Sequence, residues 1–162
     1  MKQKHTIGNL FDKNSKILIL GSFPSVKSRE QGFFYGHKQN RFWKTLSAVL
    51  NKPLPKSIEE KKEFLLSNHI ALWDVIAECD IIGSSDSSIK NVVPNDISKI
   101  TNNCDIKMIF TNGKTADKLY KKYILPNNDF EAICLPSTSP ANAKFTLEKL
   151  IDEWRIIKSY LD

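Results

Sequence analysis

Cysteine is scarce in this 162-residue chain: three occur, Cys79, Cys104 and Cys134, far apart and odd in number. They lack the paired short spacings of a zinc site and fall one short of the four thiolates an iron–sulfur cluster takes. Buried, inert thiols in a reducing compartment are the expectation, and Cys134, inside an apolar run, fits a buried position best. Long apolar runs are missing too. The longest spans a few residues against the ~20 of a membrane-crossing helix, so no membrane partner is expected. The basic start, Met1-Lys2-Gln3-Lys4-His5, leads into no signal-peptide apolar region, which points to an intracellular, cytoplasmic protein. Without repeats, low-complexity tracts or linkers, residues 1–162 are expected to form one domain around one core.

What is present is ordinary for a globular chain, 41% hydrophobic and 26% charged. Lysine and arginine number 24 against 18 acids, a formal net charge of +6. That balance favours polyanion partners, because neutralising phosphates releases counterions, and it equally suits a lysine-rich surface that keeps the protein in solution. Four short apolar runs, residues 16–20, 70–73, 106–110 and 132–135, lack alternation and read as strands covered on both faces. Helical patterns lie between them. Phe42, Trp43, Leu46, Val49 and Leu50 share one face. Ser57-Ile58-Glu59-Glu60 is a capping box whose helix runs to about Asn68. Ala116, Leu119, Tyr120 and Tyr123 form a stripe, and Leu147 through Leu161 the longest one, while a shorter helix starts near Asn95 or Asp96. Strands alternating with helices predict an α/β fold with a parallel sheet between helical layers.

Each predicted strand ends in a small or polar cluster: Gly21-Ser22, Asp74, Thr111-Asn112-Gly113 and Pro136-Ser137-Thr138-Ser139-Pro140. Ligands of open parallel sheets bind at the carboxyl ends of the strands, so these clusters predict a site there. Gly21-Ser22-Phe23-Pro24-Ser25 lacks the spacing of a phosphate-cradling P-loop and the flanking glycines of a nucleophile elbow. The 16 residues 25–40 form a long connection crowded with Phe33, Phe34, Tyr35, His37, Gln39 and Asn40, aromatic faces for stacking and amides for hydrogen bonding.

Gly-Ser-Phe-Pro-Ser, followed by Tyr35-Gly36-His37-Lys38-Gln39-Asn40-Arg41-Phe42-Trp43, resembles the hypoxanthine-DNA (deoxyinosine) glycosylases of the uracil-DNA glycosylase superfamily. The likeness continues, in order, through Ile70-Ala71-Leu72-Trp73-Asp74-Val75-Ile76, residues 84–91, Val93-Pro94-Asn95-Asp96-Ile97, Thr111-Asn112-Gly113-Lys114 and residues 135–143. It implies a three-layer α/β/α fold around a four-stranded parallel sheet, with no cofactor and no metal. The implied activity is hydrolysis of the N-glycosidic bond of a deaminated base in DNA by a monomeric, monofunctional enzyme. A uracil or mismatch glycosylase of the same superfamily is the alternative, as is a module that binds lesions without cleaving them.

The resemblance also implies roles for single residues. Many superfamily members carry Asp or Asn at the position of Phe23, where it aligns the attacking water; here the catalytic role passes to Asn40, whose carbonyl oxygen is expected to orient the water, with a cap of the following helix as the other reading. Base contacts are expected from Ser22, Phe23, Tyr35, His37, Asp74 and Ser137, the last standing where uracil-acting relatives have a histidine. Asp74 stands where those relatives have a base-reading asparagine. An ionised aspartate only accepts, which suits the N1–H of hypoxanthine but repels O6 unless another donor intervenes; a strand-end cap is the other reading. DNA contacts are expected from Ser25, Lys38 (in place of a proline), Ser139, Asn142 and Lys144, with Phe145 a wedge candidate. His37 equally fits a structural role, and His5 and His69 carry no motif support.

Overall fold

A computed structural model describes residues 2–5, 7–128 and 130–162. In chain order its strands and α-helices are β1 (Lys2–Lys4), β2 (Ile17–Gly21), α1 (Val26–Gln31), α2 (Phe42–Leu50), α3 (Ile58–Ser67), β3 (Ile70–Asp74), β4 (Ile76–Asp80), β5 (Lys90–Pro94), α4 (Ser98–Thr101), β6 (Met108–Asn112), α5 (Lys114–Leu119), β7 (Ala132–Leu135) and α6 (Leu147–Trp154). The four apolar runs pair as a parallel sheet in the order β3-β2-β6-β7. Every residue of β2 and β3 is buried, which is why those runs show no polar alternation. Their register sets Gly21 opposite Asp74, and that of β6 with β7 sets Asn112 opposite Leu135. The polar strand ends are thereby brought to a common edge.

Alternation along β6 shows what covers each face. Phe110 meets Tyr160 edge-on at 5.6 Å, whereas Thr111 donates a 2.9 Å hydrogen bond to Asp117 on α5. Neighbouring strand residues point to opposite faces, so the C-terminal segment covers one face and α5 the other. Phe42 packs edge-on against Trp154 at 5.9 Å and Trp43 against Phe64 at 6.4 Å, joining α2, α6 and α3 in one layer. Burial of Phe42, Trp43, Leu46 and Val49 holds α2 down, each side chain contributing roughly 1.5–3 kcal/mol relative to exposure. The architecture is the expected three-layer α/β/α arrangement. Ser57 caps α3 by accepting from the Glu60 N–H at 3.0 Å, and Thr146 caps α6 by accepting from the Lys149 N–H at 3.2 Å.

Several local expectations need correcting. A second sheet, antiparallel and ordered β1-β4-β5, was not anticipated, because its short polar strands carry no apolar pattern. The long connection 25–40 contains α1, capped by Ser25. The C-terminal stripe is not one α-helix: α6 ends at Trp154 and Arg155–Tyr160 continues as a 3-10 helix. Likewise Tyr120–Ile124 widens into a π-helical turn after α5. The short helix α4 starts later than Asn95 or Asp96. Cys134 is exposed, whereas Cys79 is buried and Cys104 half-buried; β7 is the edge strand of its sheet, so an apolar run there does not bury every side chain. Among the described residues no helix is long and apolar enough to cross a membrane.

Candidate active site

A cavity of about 140 Å³ opens where the carboxyl ends of the parallel strands meet. β2 and the chain after it supply Gly21, Ser22, Phe23, Ser25, Phe34, Tyr35 and Asn40 to its wall. Asp74 comes from the end of β3, Asn112 from β6, Ser137, Thr138 and Ser139 from the chain after β7, and Ser84 and Asp86 from the loop before β5. A larger space of about 280 Å³ lies at the opposite, amino edge of the sheet, beside Lys16 and His69. It is not where this topology gathers its polar strand ends.

Close approach dictates the glycines. A Cβ on Gly21 would stand 2.4 Å from Asp74 Oδ1 and 2.9 Å from the Tyr35 hydroxyl, so only glycine lets both groups crowd the end of β2. Gly113 has φ +100°, and a Cβ there would meet Ser137 Cβ at 2.9 Å.

Asn40 sits in a chain of half-buried hydrogen bonds. Its Oδ1 accepts from the Phe42 N–H at 3.0 Å and from the Thr138 hydroxyl at 2.8 Å. Thr138 Oγ1 in turn accepts from Asn112 Nδ2 at 3.0 Å, and the Thr138 N–H donates to Asn112 Oδ1 at 3.0 Å. Because the Phe42 N–H can only donate, the Asn40 oxygen must face it, and the amide NH2 is the half left for the cavity. Asn40, one residue before the N-cap Arg41, thus accepts from the first N–H of α2 and also lines the cavity; the oxygen expected to orient a water is already engaged, and the nitrogen takes its place. Next to it, the Arg41 N–H donates to Thr138 O at 3.0 Å, and its guanidinium donates to Ser139 O at 2.8 Å, Asn142 O at 3.1 Å and Phe145 O. This fork straps the loop after β7 onto α2.

Asp74 is 3% exposed. Its Oδ2 lies 2.8 Å from His5 Nε2, and its Oδ1 is the oxygen beside Gly21. Burial and the negative charge of Asp74 push the Tyr35 hydroxyl well above the usual phenol range, so that at neutral pH it is a donor. The neighbouring Asn112 amide works the other way, but the hydroxyl is buried and has no partner of good hydrogen-bond geometry among the described residues. The Tyr35 ring itself stacks on Phe42 at 4.0 Å and 19°, and the Arg29 guanidinium covers Phe23 at 5.3 Å. Both rings are therefore wall material with one face already occupied. At the rim, Ser22 Oγ donates to Asp86 Oδ1 at 3.4 Å; desolvation pushes the Asp86 carboxyl up, against the lowering effect of hydrogen bonds from Ser22 and Thr115.

Of the residues expected from the sequence, Asn40, Ser22, Phe23, Tyr35, Asp74, Ser137, Ser25 and Ser139 come together around this cavity. His37, Lys38, Asn142 and Lys144 stand outside its wall. His37 Nδ1 accepts from the Gln39 N–H at 3.1 Å, Asn142 Nδ2 donates to Ser137 O at 3.0 Å, and Lys38 and Lys144 are exposed. Phe145 is half-buried against the core. Sequence reasoning assigned no role to Arg41, Asn112, Thr138, Asp86 or His5. Asn112 and Thr138 stood in strand-end clusters and were legible by position; nothing in the sequence ties His5 to Asp74.

Comparison with known proteins accords with this geometry. A family model described as the uracil DNA glycosylase superfamily matches residues 9–158. A protein of Methanosarcina acetivorans named hypoxanthine DNA glycosylase is 33% identical over 150 residues, covering 91% of this chain and 93% of its own. A Methanosarcina barkeri protein of the same name is 32% identical over 137 residues, 83% of this chain and 85% of its own. The solution NMR structure of a candidate uracil DNA glycosylase from M. acetivorans superposes with a TM-score of 0.80 at 31% identity, covering 98% of this chain and 99% of that one.

Proposed function

Because the chain belongs to the uracil DNA glycosylase superfamily, we propose that it is a monofunctional DNA glycosylase that hydrolyses the N-glycosidic bond of hypoxanthine in DNA. The observation that carries the choice of base is the pairing of Asp74 Oδ1, an acceptor, with the Tyr35 hydroxyl, a donor, beside Gly21. Hypoxanthine offers the complement: its N1–H donates to the carboxylate while O6 accepts from the phenol. The repulsion that a lone aspartate would exert on O6 is thereby answered. Relatives named for hypoxanthine support the same reading.

A base inside a duplex is out of reach, so the target nucleotide is flipped into the cavity, its phosphates met by the basic surface. Ser25 and Ser139 at the cavity wall, and Lys38, Asn142 and Lys144 outside it, are the proposed DNA contacts; Ser22, Phe23, His37 and Ser137 complete the proposed base contacts. As the C1′–N9 bond breaks, its electron pair leaves with the base and positive charge develops on the sugar. Asn40 donates through Nδ2 to the oxygen of a water, whose remaining lone pair attacks C1′; the proton released passes to solvent. An incipient cation needs only a weak, well-placed nucleophile, so a neutral amide suffices. Backbone N–H groups of the loop after β7 stabilise the departing base. No lysine lines the cavity among the described residues, which favours water over an imine-forming amine. The enzyme acts as a monomer in the cytoplasm.

An oligonucleotide carrying one hypoxanthine tests the proposal. Strand breakage at that base after alkali, and none before it, is expected. Parallel uracil and xanthine substrates decide the base; lesion-selective binding without an abasic product on any of them would instead make the chain a binding module.

A further inference from the structure

Behind the cavity wall sits a histidine that takes no part in the chemistry above. His5 follows β1, and its N–H donates to Ala77 O of β4 at 2.6 Å. Its side chain is 2% exposed and that of Asp74 4%. The ring lies edge-on to Phe23 at 5.9 Å and tilted against Phe34 at 6.0 Å, and Phe23, Phe34 and Asp74 all line the cavity. His5 Nε2 reaches Asp74 Oδ2 at 2.8 Å, while Nδ1 is buried with no partner among the described residues. A proton on Nδ1 would be an unsatisfied buried donor; a bare Nδ1 leaves only an unused acceptor. The ring proton therefore belongs on Nε2, pointing at the carboxylate. His5 also lies outside residues 9–158, the span matched by the family model.

We propose that His5 is a positioning residue that holds the buried Asp74 carboxylate as an acceptor, and that this pair selects deaminated bases by their ring N–H. The inference rests on the base-reading role given to Asp74 above. Engaging Oδ2 fixes the carboxylate plane and leaves Oδ1 to face the base. Deamination converts the bare N1 of adenine, or N3 of cytosine, into an N–H. A held carboxylate accepts from hypoxanthine N1–H or uracil N3–H and repels the lone pair of the parent base. Without a donor behind it, the carboxylate is free to turn about its plane, and Oδ1 is no longer held towards the ring edge of the base, which removes the discrimination. The other charged or titratable groups around the pair are Tyr35 from the loop after α1, Asp86 at the rim, Arg29 of α1 over Phe23, and the Lys2–Glu78 pair between β1 and β4. None of them is hydrogen-bonded to Asp74 Oδ2.

Two substitutions separate donation from packing. His5→Phe keeps the ring volume and removes the donor; His5→Gln loses the ring and keeps an N–H near the Nε2 position. Thermal melts establish that both are folded. Single-turnover excision, on whichever of the hypoxanthine, uracil or xanthine substrates the wild type cuts fastest, is expected to fall about 10- to 100-fold in His5→Phe. His5→Gln is expected to stay within about threefold of wild type. Equal activity in His5→Phe and wild type, or an order in which His5→Gln is the slower, overturns the proposal. Ring 15N NMR of the wild type reads the same relation without turnover: an Nε2–H signal that shifts in Asp74→Asn is expected, and an Nδ1–H tautomer refutes it. If the wild type prefers uracil, the choice of hypoxanthine fails while the His5 inference is still decided on uracil.

Discussion

Asn40 lends itself to a test that separates its structural work from its chemical work. Its Oδ1 accepts from the Phe42 N–H, the first of α2, and from the Thr138 hydroxyl, on a residue that is 0% exposed. Asn40→Ala removes both bonds, at about 1 kcal/mol for each. In a chain of this length each kcal/mol is worth roughly 2–4 °C, so the Tm is expected to fall by about 4–8 °C. Asn40→Asp keeps an oxygen for both donors but loses the Nδ2 donor, so its Tm is expected within about 3 °C of wild type. Excision should fall in both, by about 10²–10³-fold, the loss typical of one preorganised catalytic donor. Differential scanning calorimetry and single-turnover cleavage at a temperature where all three proteins are folded give the two readouts. An Asn40→Asp enzyme that cuts at the wild-type rate would refute the role of the amide nitrogen and move it to the oxygen. An Asn40→Ala enzyme that cuts at the wild-type rate would refute any chemical role.

Three other perturbations have signs that follow from the site. Tyr35→Phe removes a buried hydroxyl with no well-placed partner among the described residues, so stability should stay within about 0.5 kcal/mol of wild type or rise, while hypoxanthine excision slows because O6 loses its donor; unchanged excision would remove Tyr35 from base recognition. Gly21→Ala sets a methyl against Asp74 Oδ1 and the Tyr35 hydroxyl, which should cost roughly 1–3 kcal/mol in a melt and lower excision as well; retained activity would show that neither group is held in place by contact with β2. Of the three thiols, Cys134 should react first with a disulfide reagent and Cys79 only on unfolding. Because desolvation and Asp117 push the Cys134 thiol up, that reaction should accelerate with pH beyond the range of a free thiol. Rapid reaction of Cys79 in the native protein would contradict the burial of that β4 side chain.

Much of the fold was legible because its signals are local. The four apolar runs became the four parallel strands, since strands buried on both faces must be apolar throughout. The capping box at Ser57 and the stripe of Phe42, Trp43, Leu46 and Val49 became α3 and α2 for equally local reasons. Cys134 shows the limit of such reasoning: an apolar neighbourhood in sequence does not reveal that a strand lies at the edge of its sheet.

The sequence by itself determined the α/β layering, the gathering of polar strand ends at one edge, and the presence of Asn40 and Asp74 there. The layering, the polar edge and the place of Asp74 follow from hydrophobic periodicity and from where parallel strands end; the choice of Asn40 came from the resemblance carried by residues 35–43. Only the tertiary structure decided that the Asn40 oxygen is taken up by Phe42 and Thr138, leaving its nitrogen for the cavity. It also decided that the Tyr35 hydroxyl stands with Asp74 Oδ1 beside Gly21, and that Asp74 is backed by a histidine 69 residues away. Those contacts depend on β1 pairing with β4 and on the chain after β7 folding back onto α2. Pairings at such sequence separation leave no periodic trace, because they are set by how whole elements dock and not by which residues adjoin along the chain.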